Sequence, residues 1–124
     1  MLYEIKGTKQ NKGEDFRRWF TDDFFDLFVW YDKRGKISAF QLSYDKVSGE
    51  RVITWRRRGG YMHAGVDGGE ELATSHMTPI LVSDGVFDSR AVAEKFRRAS
   101  GNLDDKMVDF IYKKILQCPP EANM

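Results

Sequence analysis

Residues 26–66, which read DLFVWYDKRGKISAFQLSYDKVSGERVITWRRRGGYMHAGV, decide the fold of this 124-residue chain. Apolar and polar residues alternate through much of this stretch, and three glycine-containing turn sequences interrupt it. Alternation with a period of two is typical of β-strands, because successive side chains of a strand point to opposite faces of the sheet. The stretch therefore predicts an antiparallel meander, in which each strand pairs with the next one along the chain.

The turn nearest the end of this stretch is the glycine pair at 59–60. A glycine pair is typical of a two-residue type I′ hairpin, because both central residues of that turn need a positive φ. This turn predicts that Arg58 pairs with Tyr61 and that Trp55 pairs with Ala64.

The two earlier turns predict the rest of the register. A four-residue loop at 46–49 would pair Phe40 with Trp55. A type I turn with a glycine bulge at 32–36 would pair Phe28 with Phe40. Together the three turns predict a single apolar face, and a one-residue slip at any of them would scatter that face. The residues predicted on it are Phe28, Phe40, Leu42, Tyr44, Ile53, Trp55, Met62, Ala64 and Val66.

Two amphipathic helices are predicted after the strands. Asp88 and Asp104 are the N-cap candidates, because an aspartate at this position accepts a hydrogen bond from a free N–H of the first turn. The apolar stripes that should face the sheet are Val92, Phe96 and Ala99 in the first helix, and Met107, Val108, Ile111 and Ile115 in the second. The predicted class is α+β, with an antiparallel meander sheet of about four to six strands and two C-terminal helices packed on one face.

Composition predicts one cytoplasmic domain over 1–124, with a polar loop or arm at 6–15 and a tail at 119–124. The chain is 41% hydrophobic, carries a formal net charge of +1 and contains one cysteine. A chain this close to neutrality has no global field that draws it to a polyanion, so such a partner needs a local basic patch. One cysteine excludes an internal disulfide, and no apolar run is long enough to span a membrane.

The second face of the predicted sheet grades from apolar to basic. Leu27, Val29 and Tyr31 lie at its apolar end, and such a face needs a cover. We interpret it as a homodimer interface, or as a surface covered by residues 16–25. The sharper hypothesis is a ligand-binding groove, whose candidate residues are Tyr31, Arg56, Arg58, Tyr61 and His63.

A second hypothesis is a binding module for RNA or single-stranded DNA. Arg56, Arg58 and Tyr61 would form its core, with Arg17 and Trp19 beside them. Guanidinium groups bind phosphates bidentately, and aromatic rings stack on bases.

The leading alternative to a binding domain is a metal-dependent enzyme of the hydrolase type. His63, Asp67, Glu70 and His76 fall within fourteen residues and carry the imidazole and carboxylate ligands that zinc, manganese or iron accept. Their spacing matches no helical metal-binding motif such as HExxH.

The sequence favours a small binding domain that forms a homodimer, needs no cofactor and has no catalytic residues of its own. No nucleophile, phosphate-loop or dinucleotide motif occurs in the chain. A small ligand and nucleic acid remain the alternative partners.

Overall fold

The structure, a computed structural model, describes residues 1–46, 49–65 and 88–118. The described strands form one antiparallel sheet in which the order in space is the order along the chain. The strands are β1 (Tyr3–Glu4), β2 (Phe16–Thr21), β3 (Phe25–Tyr31), β4 (Ile37–Tyr44), β5 (Arg51–Arg56) and β6 (Gly60–Gly65), and the helices are α1 (Ser89–Ala99) and α2 (Asp105–Gln117). The predicted α+β class, with a meander sheet and two C-terminal helices, is confirmed.

Both helices pack on the same face of the sheet, which we call the helix-covered face. The ring of Phe96 in α1 meets the ring of Phe25 edge-on, with centroids 6.1 Å apart. In α2, Phe110 meets Trp55 with ring centroids 5.4 Å apart. The fully buried side chains of this core are Leu2, Phe20, Phe25, Leu27, Val29, Phe40, Leu42, Ile53, Ala93, Phe96, Met107, Ile111 and Ile115.

The predicted helix starts are correct. The Asp88 carboxylate accepts a hydrogen bond from the Ala91 N–H at 3.0 Å, and the Asp104 carboxylate accepts one from the Met107 N–H at 3.1 Å. Neither described helix combines the length and hydrophobicity that crossing a membrane requires.

The β4–β5 register follows the prediction, because Phe40 pairs with Trp55 and Leu42 with Ile53. The β3–β4 register does not: Phe40 pairs with Val29, and the predicted partner Phe28 is one residue away. A β-bulge between Trp30 and Tyr31 causes this shift.

The bulge reverses the predicted faces of β3. Tyr31 pairs with Ile37 while Trp30 pairs with Ala39, so one residue of β4 has no partner opposite it. Beyond the bulge every β3 side chain lies on the other face from the one predicted. Leu27 and Val29 are therefore fully buried under the helices and form no interface.

The β5–β6 register also differs from the prediction. Trp55 pairs with Tyr61 and Ile53 with His63, a slip of three residues. Only Gly60 has a positive φ, of 74°, and the Gly59 N–H donates to the Arg56 carbonyl at 3.1 Å. The connection between β5 and β6 is therefore longer than a two-residue type I′ turn.

Because three is odd, the slip reverses the faces of β6 as well. Met62, predicted on the buried face, is 60% exposed. Ala64 pairs with Val52, and the third predicted core residue of this segment, Val66, lies outside the described residues.

The N-terminal aromatic segment joins the sheet. Residues 16–21 form β2 between β1 and β3, and do not cover a sheet face as one interpretation predicted. The Leu2 N–H donates to the Ala99 carbonyl at 2.8 Å, which ties the N-terminus to the end of α1. The predicted tail at 119–124 lies outside the described residues.

Candidate binding surface

The face of the sheet opposite the helices, which we call the open face, carries no described helix. Strand pairing places on it Tyr3, Arg17, Trp19, Thr21, Asp26, Phe28, Trp30, Ala39, Gln41, Ser43, Val52, Thr54, Arg56 and Met62. Tyr3 and Met62 are 57% and 60% exposed at its two edges. Aromatic side chains lie between them.

Three of these aromatic side chains form a continuous row, which we call the aromatic row: Trp19, Phe28 and Trp30. Trp19 and Phe28 are direct partners across β2 and β3, and their rings stack with centroids 5.4 Å apart and planes 16° from parallel. Phe28 and Trp30 lie on the same strand face, with centroids 6.1 Å apart. All three remain partly exposed. The Arg17 guanidinium carbon lies 5.5 Å from the Phe28 ring centroid, within cation–π range.

The meander gives the two ends of the sheet opposite charge. Antiparallel order places the connections 5–15, 32–36 and 57–59 at one end, which we call the basic end. They carry eight Lys or Arg and three Asp or Glu. The connections 22–24 and 45–50 at the other end carry one Lys and four Asp or Glu. A net charge of +1 therefore conceals a local basic region, next to Trp30.

A cavity of about 650 Å³ opens where the aromatic row reaches the basic end. Trp30, Ala39 and Arg56 contribute the open-face part of its wall. The remaining lining residues come from the neighbouring connections and strand ends: Glu14, Asp15, Asp32, Ser38, Arg57 and Arg58. Its volume lies within the range of small-molecule sites.

Several of the polar and charged groups that line the cavity bind each other. Arg57 donates to the Asp32 carboxylate at 2.9 Å and to the Ile37 carbonyl at 2.6 Å. The Ser38 hydroxyl donates to the Asp15 carboxylate at 2.5 Å. Within the part of the chain that the structure describes, neither Arg56 nor Arg58 has an ion pair or hydrogen bond from its guanidinium.

The Asp32 carboxylate at the cavity accepts three hydrogen bonds from described residues. The backbone N–H of Lys36, the guanidinium of Arg57 and the backbone N–H of Arg34 all donate to it. These bonds, the one from Lys36 first, lower the pKa of Asp32 from 3.8 to about 2. Asp32 therefore stays ionised and holds Arg57 in place.

The structure separates the five ligand-binding candidates. Arg56 and Arg58 line the cavity together. Tyr31 and Tyr61 lie on the helix-covered face instead, through the register changes described above. His63 contributes its backbone to β6, and only that backbone is described.

Both tyrosines have structural partners. The Tyr61 hydroxyl donates a hydrogen bond to the Lys114 carbonyl at 2.7 Å, and burial raises the pKa of Tyr61 to about 12. Tyr31 accepts a hydrogen bond from Arg18 at 3.4 Å, and burial raises its pKa against the lowering effect of that cation. The first bond connects β6 to α2, and the second connects β3 to β2.

The two additional nucleic-acid candidates, Arg17 and Trp19, lie side by side on the open face. Arg17 donates from Nη2 to the Lys9 carbonyl at 2.8 Å. Among the described residues, Arg17 Nε and Trp19 Nε1 are buried and have no acceptor. Trp19 therefore contributes its ring faces to the surface and not its N–H group.

Three of the four metal-site candidates, Asp67, Glu70 and His76, lie outside the described residues. The fourth, His63, is described only by its backbone. In the described ranges no three His, Cys, Asp or Glu side chains are grouped as a metal site requires. The metal site stays a prediction, which thermal melts with and without zinc can test.

Phe28, Trp30 and the basic end are the features that sequence reasoning missed. The signal for the basic end was present, because alternate turns of any meander lie at one end of its sheet. The predicted register places Phe28 in the core and gives Trp30 no role, because no local signal in the sequence marks the bulge between β3 and β4.

Comparison with protein-family models, with curated proteins and with solved structures found no match to this chain.

Proposed function

We propose that this domain binds single-stranded nucleic acid on the open face of its sheet, as a non-catalytic binding module of the cytoplasm. One observation carries the proposal: the aromatic row runs along a sheet face that no described helix covers, and it ends at the basic end, beside Arg56 and Arg58. Stacking surfaces are thus adjacent to cations that have no partner among the described residues.

The aromatic row supports base stacking. Every base has a π-face, so stacking on aromatic side chains tolerates any sequence and contributes about 1–3 kcal/mol per base. Strand pairing sets the positions of Trp19 and Phe28, so little side-chain freedom remains to be lost on binding.

The basic end supports binding of the phosphate backbone. Arg56 and Arg58 have no partner among the described residues, so a phosphate would not have to displace a carboxylate from either. Arginine binds phosphate oxygens bidentately with charge-assisted hydrogen bonds. Because the net charge of the chain is only +1, its non-specific attraction to a polyanion would be weak. Phosphate binding would therefore depend on the basic end.

Fluorescence anisotropy of a labelled single-stranded oligonucleotide of mixed sequence tests the proposal. We expect saturable binding whose affinity falls linearly with salt on a logarithmic plot, because phosphate contacts release counterions. A duplex of the same sequence should bind more weakly, since its bases are not available for stacking. Equal affinity for duplex and single strand, or no binding at low salt, would contradict the proposal.

Self-association through the open face is a second candidate function. The 57% exposure of Tyr3 and the 60% exposure of Met62 on that face favour it, because exposed apolar groups at a sheet surface mark protein interfaces. Sedimentation at micromolar concentration should then report about twice the monomer mass. A monomer mass throughout would remove this candidate.

A further inference from the structure

The cavity at the basic end is lined by charges of both signs. Glu14 and Asp15, just before β2, form its acidic wall, and Arg56 and Arg58, at and after the end of β5, form its basic wall. The Asp15 carboxylate reaches past β3 to accept a hydrogen bond from Ser38 on β4, the strand next to β5, so the two walls are close together. Trp30 lies on β3 and Ala39 on β4.

The charges that remain available are of opposite sign at these two walls. Asp32 and Arg57 bind each other and are not free for a ligand. Arg56 and Arg58 leave the basic wall unpaired within the described residues. At the acidic wall the Asp15 carboxylate accepts one hydrogen bond from the Ser38 hydroxyl, and its other lone pairs can accept more.

A nucleotide carries a group that matches each of these features of the cavity. Its base offers a flat ring, its phosphate is an anion, and cytosine, adenine and guanine carry an exocyclic amino group that donates hydrogen bonds. Uracil and thymine have carbonyl oxygens in the place where cytosine has its amino group. The small side chain of Ala39 leaves space between the indole and the arginines.

We propose that this cavity holds one nucleotide with an amino-bearing base, its ring on Trp30, its amino group at Asp15 and its phosphate at Arg56 and Arg58. The inference rests on the proposed function and adds base preference to it. The nucleotide is either a unit of a bound strand or a free mononucleotide, and the cavity chemistry is the same for both.

Isothermal titration of the whole protein with cytidine monophosphate, uridine monophosphate and cytidine tests the assignment. We expect cytidine monophosphate to bind about tenfold more tightly than uridine monophosphate, since one hydrogen bond to a carboxylate distinguishes them. Cytidine should also bind about tenfold more weakly, because it lacks the phosphate. Titration with oligocytidine and oligouridine compares the strand with the free nucleotide.

Three variants connect each contact to its residue. Arg56→Gln should weaken cytidine monophosphate binding about tenfold and leave cytidine binding unchanged. Asp15→Asn should abolish the preference for cytidine monophosphate over uridine monophosphate, because an amide donates as well as accepts. Arg34→Gln is the matched control: Arg34 is an exposed cation of the basic end outside the cavity lining, and binding should not change.

Each result of these titrations supports or contradicts one part of the proposal. Equal affinity for the cytidine and uridine monophosphates, or for oligocytidine and oligouridine, would overturn the amino-base assignment. Binding of oligonucleotides without the expected loss in Arg56→Gln would overturn the cavity as the phosphate site and leave the proposed function standing. If neither oligonucleotide nor mononucleotide binds, both proposals fail.

Discussion

The indole of Trp19 lies nearly parallel to the ring of Phe28 across β2 and β3, with ring centroids 5.4 Å apart. Stacking fixes the two rings against each other on a sheet face that no described helix covers. The pair is therefore a preformed part of the surface, and Trp30 extends it towards the basic end.

Phe28→Ala should weaken binding of a single-stranded oligonucleotide by about 1–3 kcal/mol, because it removes the middle ring of the aromatic row. Phe16→Ala is the matched control, since Phe16 is 55% exposed and pairs with Tyr31 on the helix-covered face. Anisotropy titrations of both variants measure the effect. Equal losses in the two variants would mean that the open face is not the binding surface.

Val29→Glu should prevent stable folding or lower the free energy of unfolding by about 3 kcal/mol or more, because it buries an unpaired charge. Val29 is fully buried, so this substitution cannot report on an interface. Thr54→Glu, on the partly exposed open face, should change the free energy by less than about 1 kcal/mol. Urea unfolding followed by circular dichroism compares them, and a stable Val29→Glu protein would contradict the β3 register.

Gly60→Ala should lower the free energy of unfolding by about 1 kcal/mol, because a residue with a Cβ is strained at a φ of 74°. Gly59→Ala should be neutral or slightly stabilising, since Gly59 has no positive φ and its added Cβ would lie 3.6 Å from the Arg56 Cβ. Denaturant unfolding of the two variants distinguishes the observed turn from the predicted type I′ turn, which needs a positive φ at both glycines. Similar losses at both positions would restore the two-residue type I′ hairpin.

Asp32→Asn should remove a stabilising contribution that depends on pH. The pKa of Asp32 is lowered to about 2 in the folded chain from a usual 3.8, so its ionised form stabilises the fold above about pH 4. That contribution is lost as the pH falls from about 4 to about 2. The difference in unfolding free energy between wild type and Asp32→Asn should therefore be largest near neutral pH and shrink towards pH 2.

Denaturant unfolding between pH 2 and pH 7 measures this difference. Asparagine keeps an oxygen that accepts from the backbone N–H groups of the turn, so the variant removes the charge and preserves the turn. Asp23→Asn is the control, because Asp23 is exposed and has no hydrogen bond among the described residues. A difference for Asp32→Asn that does not change with pH would contradict the prediction.

Local signals were sufficient for part of this fold. The N-caps at Asp88 and Asp104 and the pairing of β4 with β5 depend on residues close together in the chain, so both could be predicted. The apolar stripe of α2 could also be predicted, since its residues recur at helical spacing: Met107, Val108, Ile111 and Ile115.

Local signals were insufficient for β3, where residues 27–31 read LFVWY and are all apolar. Such a run has no polar alternation to say which side chains face the core. Packing decided it: Leu27 and Val29 fit beneath the helices, and the larger rings of Phe28 and Trp30 lie on the open face.

The sequence by itself determined the α+β class, the meander and the helix boundaries, because these follow from periodicity and capping within short stretches of chain. Only the tertiary structure decided the candidate site. A bulge at Trp30 and a three-residue slip at Gly60 each exchange the two faces of a strand, since side chains alternate with a period of two. The basic end required the sheet itself, which collects cations from three connections that are distant in sequence.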